Sequence, residues 1–207
     1  MTTAFTLKAR PEPPAYTAPR ANGKQSVGAV ELQWARNVEA PRVRVQVARE
    51  PNFEAPLLDR DEVDASSLRA DLQNEGSYYW RLASIRPDGD HGPYGDVQRF
   101  ELRPLPTAPQ GGLTDDGKGL VFRWSGREGD RQQVELARDP AFTDVIARDE
   151  VDGLEWKPPT PGGGRYYFRY RSIEPDGYVS PYSPPLMIEL PRDLGFLLLL
   201  LPLVLIL

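Results

Sequence analysis

The sequence contains no cysteine and only one histidine, His91. Disulfide bonds and cysteine-ligated metal centres are therefore excluded. A zinc site built from several histidines is excluded as well, because such sites need three or four protein ligands. We expect neither a bound metal nor a cofactor from these patterns.

Basic residues are also fewer than acidic residues. The 207 residues carry 25 Lys and Arg against 30 Asp and Glu, a formal net charge of −5, and the two signs are interspersed along the chain. Proteins that bind nucleic acids usually present a basic face to the phosphates. The composition therefore argues against a nucleic-acid partner.

Long apolar runs are lacking everywhere except at the C-terminus. Residues 1–8 have no apolar stretch of the kind found in signal peptides, which points to the cytoplasm if Met1 is the true start. Residues 196–207 are twelve apolar residues interrupted only by Pro202. A twelve-residue helix rises about 18 Å, whereas a bilayer core needs about 20 residues. We therefore expect residues 192–207 to form a short apolar, helical tail that attaches the chain to a membrane.

Proline and glycine, in contrast, are abundant. The chain has 22 Pro and 18 Gly, which together make up roughly a fifth of it, well above average usage. They fall between short apolar runs, so they are interpreted as the turns and linkers of a β protein.

The main positive feature of the sequence is an internal repeat. Residues 30–104 and 119–191 share one pattern at a spacing of about 88–90 positions, carried by the segment pairs 47–53 and 136–142, 61–64 and 149–152, 78–81 and 166–169, and 84–89 and 172–177. This period is longer than the roughly 20–50 residues of solenoid repeats, so each copy corresponds to a small domain.

Within each copy, apolar residues alternate with polar ones. The alternating apolar positions are Val30, Leu32 and Trp34; Val43, Val45 and Val47; Tyr78, Trp80 and Leu82; and, in the second copy, Leu120, Phe122 and Trp124; Val134 and Leu136; Tyr166, Phe168 and Tyr170. A period of two is typical of antiparallel strands with one buried face. Several such strands between Gly, Pro and Asp turns predict an all-β protein made of two tandem β-sandwiches.

The domain organisation follows from the repeat. We predict one sandwich over residues 29–104 and a second over 119–191, joined by a linker at 105–118 and followed by the apolar tail at 192–207. Residues 1–28 are interpreted as a leftover strand and a Pro-rich linker. The sequence 5–11 is similar to 100–106, the end of the first copy, so residues 4–9 are interpreted as the closing strand of an earlier repeat. The alternative is that they form a first strand of the domain that follows.

Each copy resembles a fibronectin type III domain. The resemblance rests on a Trp in an early strand (Trp34 and Trp124), on a Tyr-x-apolar-Arg strand at 78–81 and 166–169, and on a following Asp-Gly turn at 88–89 and 176–177. It implies an immunoglobulin-like β-sandwich and says almost nothing about function.

The loops that depart from the general fibronectin pattern suggest a second resemblance. An Ala-Arg-Asp-Pro-x-Phe segment, followed by Tyr-Tyr-aromatic-Arg and Ser-Ile-x-Pro-Asp-Gly, resembles the C-terminal repeats of bacterial FecR-domain envelope proteins. In that family a signal peptide, a peptidoglycan-binding LysM module and a FecR domain precede the repeats. The resemblance implies a location in the cell envelope, on the periplasmic side.

Four tyrosines are the candidate contact residues. Tyr79, Tyr94, Tyr167 and Tyr182 fall on outward positions of the predicted strands and turns, where aromatic rings can stack on sugars or peptides. The alternating Trp and Phe residues are assigned to the core instead.

No catalytic residue is assigned. His91 falls on a predicted loop, and the sequence has no Gly-x-Ser-x-Gly nucleophile elbow. The acidic residues at 59–64 and 149–152 recur in both copies, which favours a structural role over a glycosidase pair. Residues 88–96 contain several carboxylates, but they lack the spacing of an EF-hand calcium loop.

These patterns predict a non-catalytic module of a bacterial cell-envelope protein. It would space an upstream domain from the membrane or mediate protein contacts, with the tail bound to the membrane and an envelope protein or peptidoglycan as a further partner. The alternative is a pair of accessory domains that bind carbohydrate or peptide.

Overall fold

The computed structural model describes residues 9–113 and 119–191, without the side chain of Leu113. The chain divides into two compact units, Met1–Pro104 and Leu105–Leu207. The described residues form β-strands, turns and loops, and they include no helix long and apolar enough to cross a membrane.

Within its described residues, 9–104, the first unit contains nine strands. They are β1 (Tyr16–Ala18), β2 (Gly23–Ser26), β3 (Gly28–Trp34), β4 (Arg42–Ala48), β5 (Leu58–Val63), β6 (Ser67–Leu72), β7 (Gly76–Ile85), β8 (His91–Tyr94) and β9 (Gln98–Arg103). One sheet has the order β1-β3-β6, and the other has the order β2-β9-β7-β4-β5, with β8 also paired to β7. All of these pairs are antiparallel except β2–β9, which is parallel.

The second unit repeats this plan with seven strands in the part of it that the structure describes. They are β10 (Gln110–Leu113), β11 (Leu120–Arg123), β12 (Arg131–Ala137), β13 (Val145–Asp152), β14 (Glu155–Trp156), β15 (Gly164–Ile173) and β16 (Leu186–Leu190). The sheet orders are β10-β11-β14 and β13-β12-β15-β16, and every pair is antiparallel.

Each unit has its own hydrophobic core between its two sheets. In the first, Leu32 of β3 and Val45, Trp80 and Leu82 of the opposite sheet are all fully buried. In the second, Phe122 of β11 stacks on Phe168 of β15 with ring centroids 4.1 Å apart. Inward residues occupy every second position because side chains alternate between the faces of a strand.

The predicted fold class is therefore confirmed. A small sheet of early strands faces a larger sheet of middle and late strands, which is the arrangement of immunoglobulin-like and fibronectin type III sandwiches. The alternation of apolar residues correctly located β3, β4, β7, β12 and β15.

The segment 11–28, predicted to be a linker, is instead part of the first unit. It contributes β1 and β2. The ring of Tyr16 packs edge-on against Trp80 with centroids 4.8 Å apart, and its hydroxyl accepts a hydrogen bond of 3.1 Å from the backbone NH of Leu82. The carbonyl of Glu12 accepts a bond of 2.6 Å from the Ser84 hydroxyl. These contacts place the proline-rich stretch on the sandwich.

The predicted linker 105–118 is corrected in the same way, since residues 110–113 form β10. Residues 114–118 lie outside the described residues. The predicted closing strand at 4–9 lies outside them as well, apart from Ala9, which is not in a strand. The apolar tail at 192–207 also lies outside them.

Candidate functional site

The four candidate tyrosines lie at matching places in the two units. Tyr79 is on β7 and Tyr167 is on β15, while Tyr94 ends β8 and Tyr182 lies between β15 and β16. All four side chains are half-buried. Within each unit, however, the two tyrosines differ in what surrounds them.

In the first unit, Tyr94 forms one side of an aromatic stack around an arginine. The guanidinium of Arg81, on β7, lies 3.9 Å from the ring centre of Tyr94 and 4.2 Å from that of Phe53. Phe53 belongs to the loop after β4 and is 6% exposed. Each such contact contributes about 0.5–2 kcal/mol, depending on desolvation.

The second unit contains the same stack. The guanidinium of Arg169, on β15, lies 3.9 Å from the ring centre of Phe142 and 3.8 Å from that of Tyr182. Arg171 also lies over Tyr182, at 4.6 Å. We call these two arrangements the arginine stacks: Arg81 with Phe53 and Tyr94, and Arg169 with Phe142 and Tyr182.

The loops that supply the phenylalanines have an unusual backbone. Phe53 and Phe142 have φ angles of 56° and 58°, in the left-handed region that side chains with a Cβ rarely adopt. In the second unit the Asp139 carboxylate holds the loop by accepting backbone NH groups of Ala141, Thr143 and Asp144 at 2.7–3.1 Å. These hydrogen bonds hold the pKa of Asp139 below its ordinary value, and the bonds from the NH groups of Asp144 and Thr143 contribute most.

The two units differ in the side chain that accepts hydrogen bonds from the stacked arginine. In the first, Nε of Arg81 donates to Oε1 of Gln46 at 2.8 Å, and Nε2 of Gln46 donates to Asp59 at 2.8 Å. Arg44 adds two hydrogen bonds to Asp59, at 2.9 and 2.7 Å. Here the carboxylate sits on the edge strand β5, and the central strand β4 carries a neutral amide.

In the second unit the carboxylate has moved to the central strand. Glu135 of β12, 1% exposed, accepts two hydrogen bonds from Arg169 at 2.9 and 2.7 Å. Its other oxygen accepts from Arg148 of β13 at 2.8 Å. Glu135 pairs with Arg148 across the sheet as Gln46 pairs with Asp59. The cross-strand pair of Gln46 and Asp59 in the first unit thus corresponds to the pair of Glu135 and Arg148 in the second.

The pKa shifts agree with this geometry. The hydrogen bond from Arg44 lowers the pKa of Asp59. Burial acts to raise the pKa of Glu135, but the hydrogen bonds from Arg169, together with the charges of Arg169 and Arg148, outweigh it and lower the pKa. Burial raises the pKa of Tyr94 and Tyr182.

These shifts define what the stacks can do chemically. A general acid or base works best with a pKa near the operating pH. At neutral pH, Asp59 and Glu135 are instead held as carboxylates and Tyr94 and Tyr182 as phenols. The arginine stacks are therefore suited to a structural role, in which they hold the side chains on the outer face of a sheet in place.

The remaining two tyrosines stand apart from the stacks. Among the residues that the structure describes, Tyr79 and Tyr167 join no ring stack and no arginine–aromatic pair. Tyr167 faces Met187 across the β15–β16 pair, and Tyr79 faces Arg99 across β7–β9. An open concavity of about 580 Å³ in the second unit, lined by Gly164, Arg165 and residues 189–191, includes neither of them.

The acidic segment 88–96 and His91 form no metal site in the described residues. Within residues 9–113 and 119–191, no group of three or more His, Asp or Glu side chains could hold a metal ion. In the acidic segment 88–96, the Asp90 carboxylate bonds Arg86 at 3.3 Å. His91 is exposed at the start of β8.

Sequence reasoning missed the two arginines and the two phenylalanines of the stacks. All four belong to repeated segments, so their recurrence was visible. What the sequence did not show is that Phe53 and Phe142 fold back over a sheet, because this depends on loop conformation.

No protein-family model matches the chain, and no curated protein matches it significantly. Among solved structures, the fibronectin(III)-like modules of Clostridium thermocellum CbhA match with a TM-score of 0.44 and 14% identity, covering 86% of this chain and 94% of that chain. The FN1–FN3 domains of chicken CNTN1 match with a TM-score of 0.45 and 15% identity, covering 87% and 69%. At such identities neither match transfers a ligand, a partner or an activity to this chain.

Proposed function

We propose that this chain is a non-catalytic structural and interaction module of a bacterial cell-envelope protein. Its two sandwiches would space an upstream domain from the membrane or mediate protein contacts on the periplasmic side. The observation that carries the proposal is the pair of arginine stacks. In both units the charged and aromatic groups of the outer sheet face bind one another, which stabilises a sandwich rather than shaping a reaction site.

Membrane attachment is the part of this proposal that rests on the sequence. Residues 196–207 are apolar throughout, and burying such side chains is favourable by about 25 cal/mol per Å². The similarity of the repeats to those of FecR-domain envelope proteins supports an envelope location and an upstream domain.

Flotation with lipid vesicles tests the attachment. The full chain is mixed with neutral phosphatidylcholine vesicles and centrifuged through a density gradient, so that charge attraction plays no part. We expect it to float with the lipid. The control is the variant Leu199→Arg with Val204→Arg, which should stay at the bottom because charges in an apolar segment oppose insertion.

Circular dichroism of both proteins checks that the sandwiches are unchanged. If the variant floats as well as the parent, or the parent does not float, the membrane part of the proposal is wrong.

A carbohydrate- or peptide-binding pair of domains is the second candidate function. The observation in its favour is that Tyr79 and Tyr167 occupy equivalent outer positions, half-buried and outside the arginine stacks. Titration with soluble peptidoglycan fragments, followed by tyrosine NMR signals, would show binding. Tyr79→Ala and Tyr167→Ala should then abolish it, while Tyr94→Phe should not.

A further inference from the structure

Residues 11–16, at the start of the first unit, lie against strands β7 and β8. They read Pro-Glu-Pro-Pro-Ala-Tyr, and two of the three prolines are buried. The hydroxyl of Tyr16 accepts a hydrogen bond from the backbone NH of Leu82 at 3.1 Å. The backbone carbonyl of Glu12 accepts one from the hydroxyl of Ser84 at 2.6 Å. The segment therefore docks on β7 through hydrogen bonds as well as through buried apolar groups.

Two glycines make room for this segment. A Cβ atom on Gly92, in β8, would overlap the carbonyl oxygen of Pro11. A Cβ atom on Gly95, directly after β8, would lie 3.0 Å from Pro13 and 3.1 Å from the hydroxyl of Tyr16. Neither glycine has a positive φ angle, so the backbone conformation does not require glycine at these positions. What the segment requires is the absence of a side chain.

The second unit has serines in the places of these two glycines. The chain after β15 folds back onto β15 as the chain after β7 folds back onto β7. Ser180 therefore corresponds to Gly92, and Ser183 corresponds to Gly95. Both serines are buried. The hydroxyl of Ser180 accepts a hydrogen bond from the backbone NH of Ser172 at 3.0 Å.

The other serine replaces a contact that the proline-rich segment makes in the first unit. The hydroxyl of Ser183 accepts a hydrogen bond from the backbone NH of Tyr170 at 3.2 Å. Tyr170 is equivalent to Leu82, whose NH donates to Tyr16 instead. A buried backbone NH needs an acceptor. The first unit obtains this acceptor from the proline-rich segment, whereas the second unit obtains it from its own serine.

We propose that the first unit carries a binding site for proline-rich segments that contain a tyrosine, and that residues 11–16 fill this site in cis. The proline site consists of Leu82, Ser84, Gly92 and Gly95. A separate peptide of the same composition binds to it when the chain's own segment is weakened. The second unit does not bind such a peptide, because serines fill the corresponding place. The proline site does not depend on the membrane or envelope parts of the proposed function.

The contacts define the chemistry of the occupant. Prolines hold a segment extended before it binds, so little conformational entropy is lost on docking. The ring of Tyr16 packs edge-on against Trp80 at a centroid distance of 4.8 Å, while its hydroxyl is the acceptor for the NH of Leu82. Phenylalanine would keep the ring contact but leave that NH without this acceptor. The proline site therefore favours tyrosine over phenylalanine at this position.

A peptide added in trans tests the proline site. In the full chain, Tyr16→Ala removes both the ring and the hydroxyl of the chain's own segment. A fluorescein-labelled peptide with the sequence 9–18 is titrated against this variant and the parent in a non-ionic detergent, which dissolves the apolar tail, and fluorescence anisotropy gives the dissociation constant. We expect Tyr16→Ala to bind the peptide at least about tenfold more tightly than the parent, whose site is filled most of the time. The same peptide with phenylalanine in place of tyrosine should bind Tyr16→Ala more weakly.

Serines in the first unit should close the site. Gly92→Ser and Gly95→Ser, added to Tyr16→Ala, recreate the arrangement of the second unit and should weaken peptide binding at least about tenfold relative to Tyr16→Ala alone. Gly162→Ser is the control, because a Cβ atom at this position meets nothing within 4 Å. Added to Tyr16→Ala, it should leave peptide binding unchanged.

A spin label gives a second measurement, which does not require the variant Tyr16→Ala to fold. Because the chain has no cysteine, Glu12→Cys carries a single label at an exposed position. Electron paramagnetic resonance should show an immobilised label in Glu12→Cys, both alone and combined with Gly162→Ser. Combined with Gly92→Ser and Gly95→Ser, the label should become mobile, because the serines displace the prolines and accept the NH groups of β7 in their place.

Several results would overturn the proposal. One is a Tyr16→Ala variant that circular dichroism shows to be folded but that does not bind the peptide. Equal binding by the parent is another, since the peptide would then bind elsewhere. A label that stays immobilised in the double serine variant would also contradict the proposal. So would unfolding of that variant, because the serines are expected to take the place of the segment.

Discussion

Glu135 and Gln46 occupy equivalent positions in two sheets, yet only one of them carries a charge. A buried carboxylate is costly unless it is paired and hydrogen-bonded. Glu135 satisfies that condition with Arg169 and Arg148. Gln46 avoids the cost of a buried charge because its amide is neutral. This amide donates a hydrogen bond to the carboxylate of Asp59, which is more exposed and forms an ion pair with Arg44. The stacked arginines of the two units, Arg81 and Arg169, are thus held by different hydrogen-bonding side chains. Each unit can therefore serve as a control for substitutions in the other.

The variant Glu135→Gln should destabilise the second unit by about 2–3 kcal/mol, since it removes charged hydrogen bonds from a buried position. The pKa of Glu135 is lowered in the folded state. Its stabilising effect is therefore present above the ordinary carboxyl pKa of 4.5 and is lost as the pH falls through the folded value. The loss caused by Glu135→Gln should be full at pH 7 and shrink in acid. Hydrogen exchange of β12 and β15, followed by mass spectrometry, measures it.

The first unit supplies the matched control. Glu135→Gln combined with Arg148→Asp recreates the pair of Gln46 and Asp59, but Gln133 stands in the place of Arg44 and cannot supply its charge, so the double variant should recover part of the lost stability. Arg148→Asp alone should be harmful, because it places a second carboxylate beside Glu135. If the double variant is as unstable as the sum of the single ones, the proposed equivalence of the two networks is incorrect.

At the scale of an element, the loop after β12 holds a phenylalanine in a conformation that suits glycine. The left-handed backbone costs a residue with a Cβ about 1–2 kcal/mol. The loop tolerates this because the ring of Phe142 covers Arg169 and because Asp139 binds three backbone NH groups. Its counterpart in the first unit, Phe53, shares the same conformation.

We therefore predict that Phe142→Gly destabilises the second unit less than Phe142→Ala. Both variants lose the ring, but only glycine relieves the backbone. The order is opposite to that at ordinary positions, where glycine is the more harmful residue. Chemical denaturation should separate the two variants by about 1 kcal/mol. If alanine is the milder change, the positive φ of this loop is not a source of strain.

Elements also show where sequence reasoning succeeds. Strands β4, β7, β12 and β15 were predictable because seven to ten residues of alternation fix both the strand and its buried face. Strands β1, β2 and β10 have three or four residues and lie among prolines and glycines, so composition indicated linkers. Tertiary contacts, such as that of Tyr16 with Trp80, decide their structure.

The candidate site was less predictable for a related reason. Alternation placed Tyr79 and Tyr167 on an outer face and Trp80 and Phe168 inside. It could not show that Tyr94 and Tyr182, which lie outside the long strands, reach over an arginine. Such contacts join residues far apart in sequence through loop geometry, and no local period encodes them.

At the scale of the whole molecule, the chain contains two separate cores. The core of the first unit includes Val45, and that of the second includes Val134, both fully buried. The two valines are equivalent, because Val45 pairs with Leu82 and Val134 pairs with Tyr170 across the sheet. Neither core cluster contains a residue of the other unit.

We therefore predict two independent unfolding transitions. Val45→Ala removes two methyl groups from the first core and should cost about 2–3 kcal/mol. For a domain of this size that loss lowers the melting temperature by about 10 °C or more. Hydrogen exchange should show faster opening of β4 and β7 while β12 and β15 keep the parent rates, and Val134→Ala should give the mirror result. If either substitution accelerates exchange in both units equally, the chain unfolds as one cooperative body, and the two sandwiches depend on each other for stability.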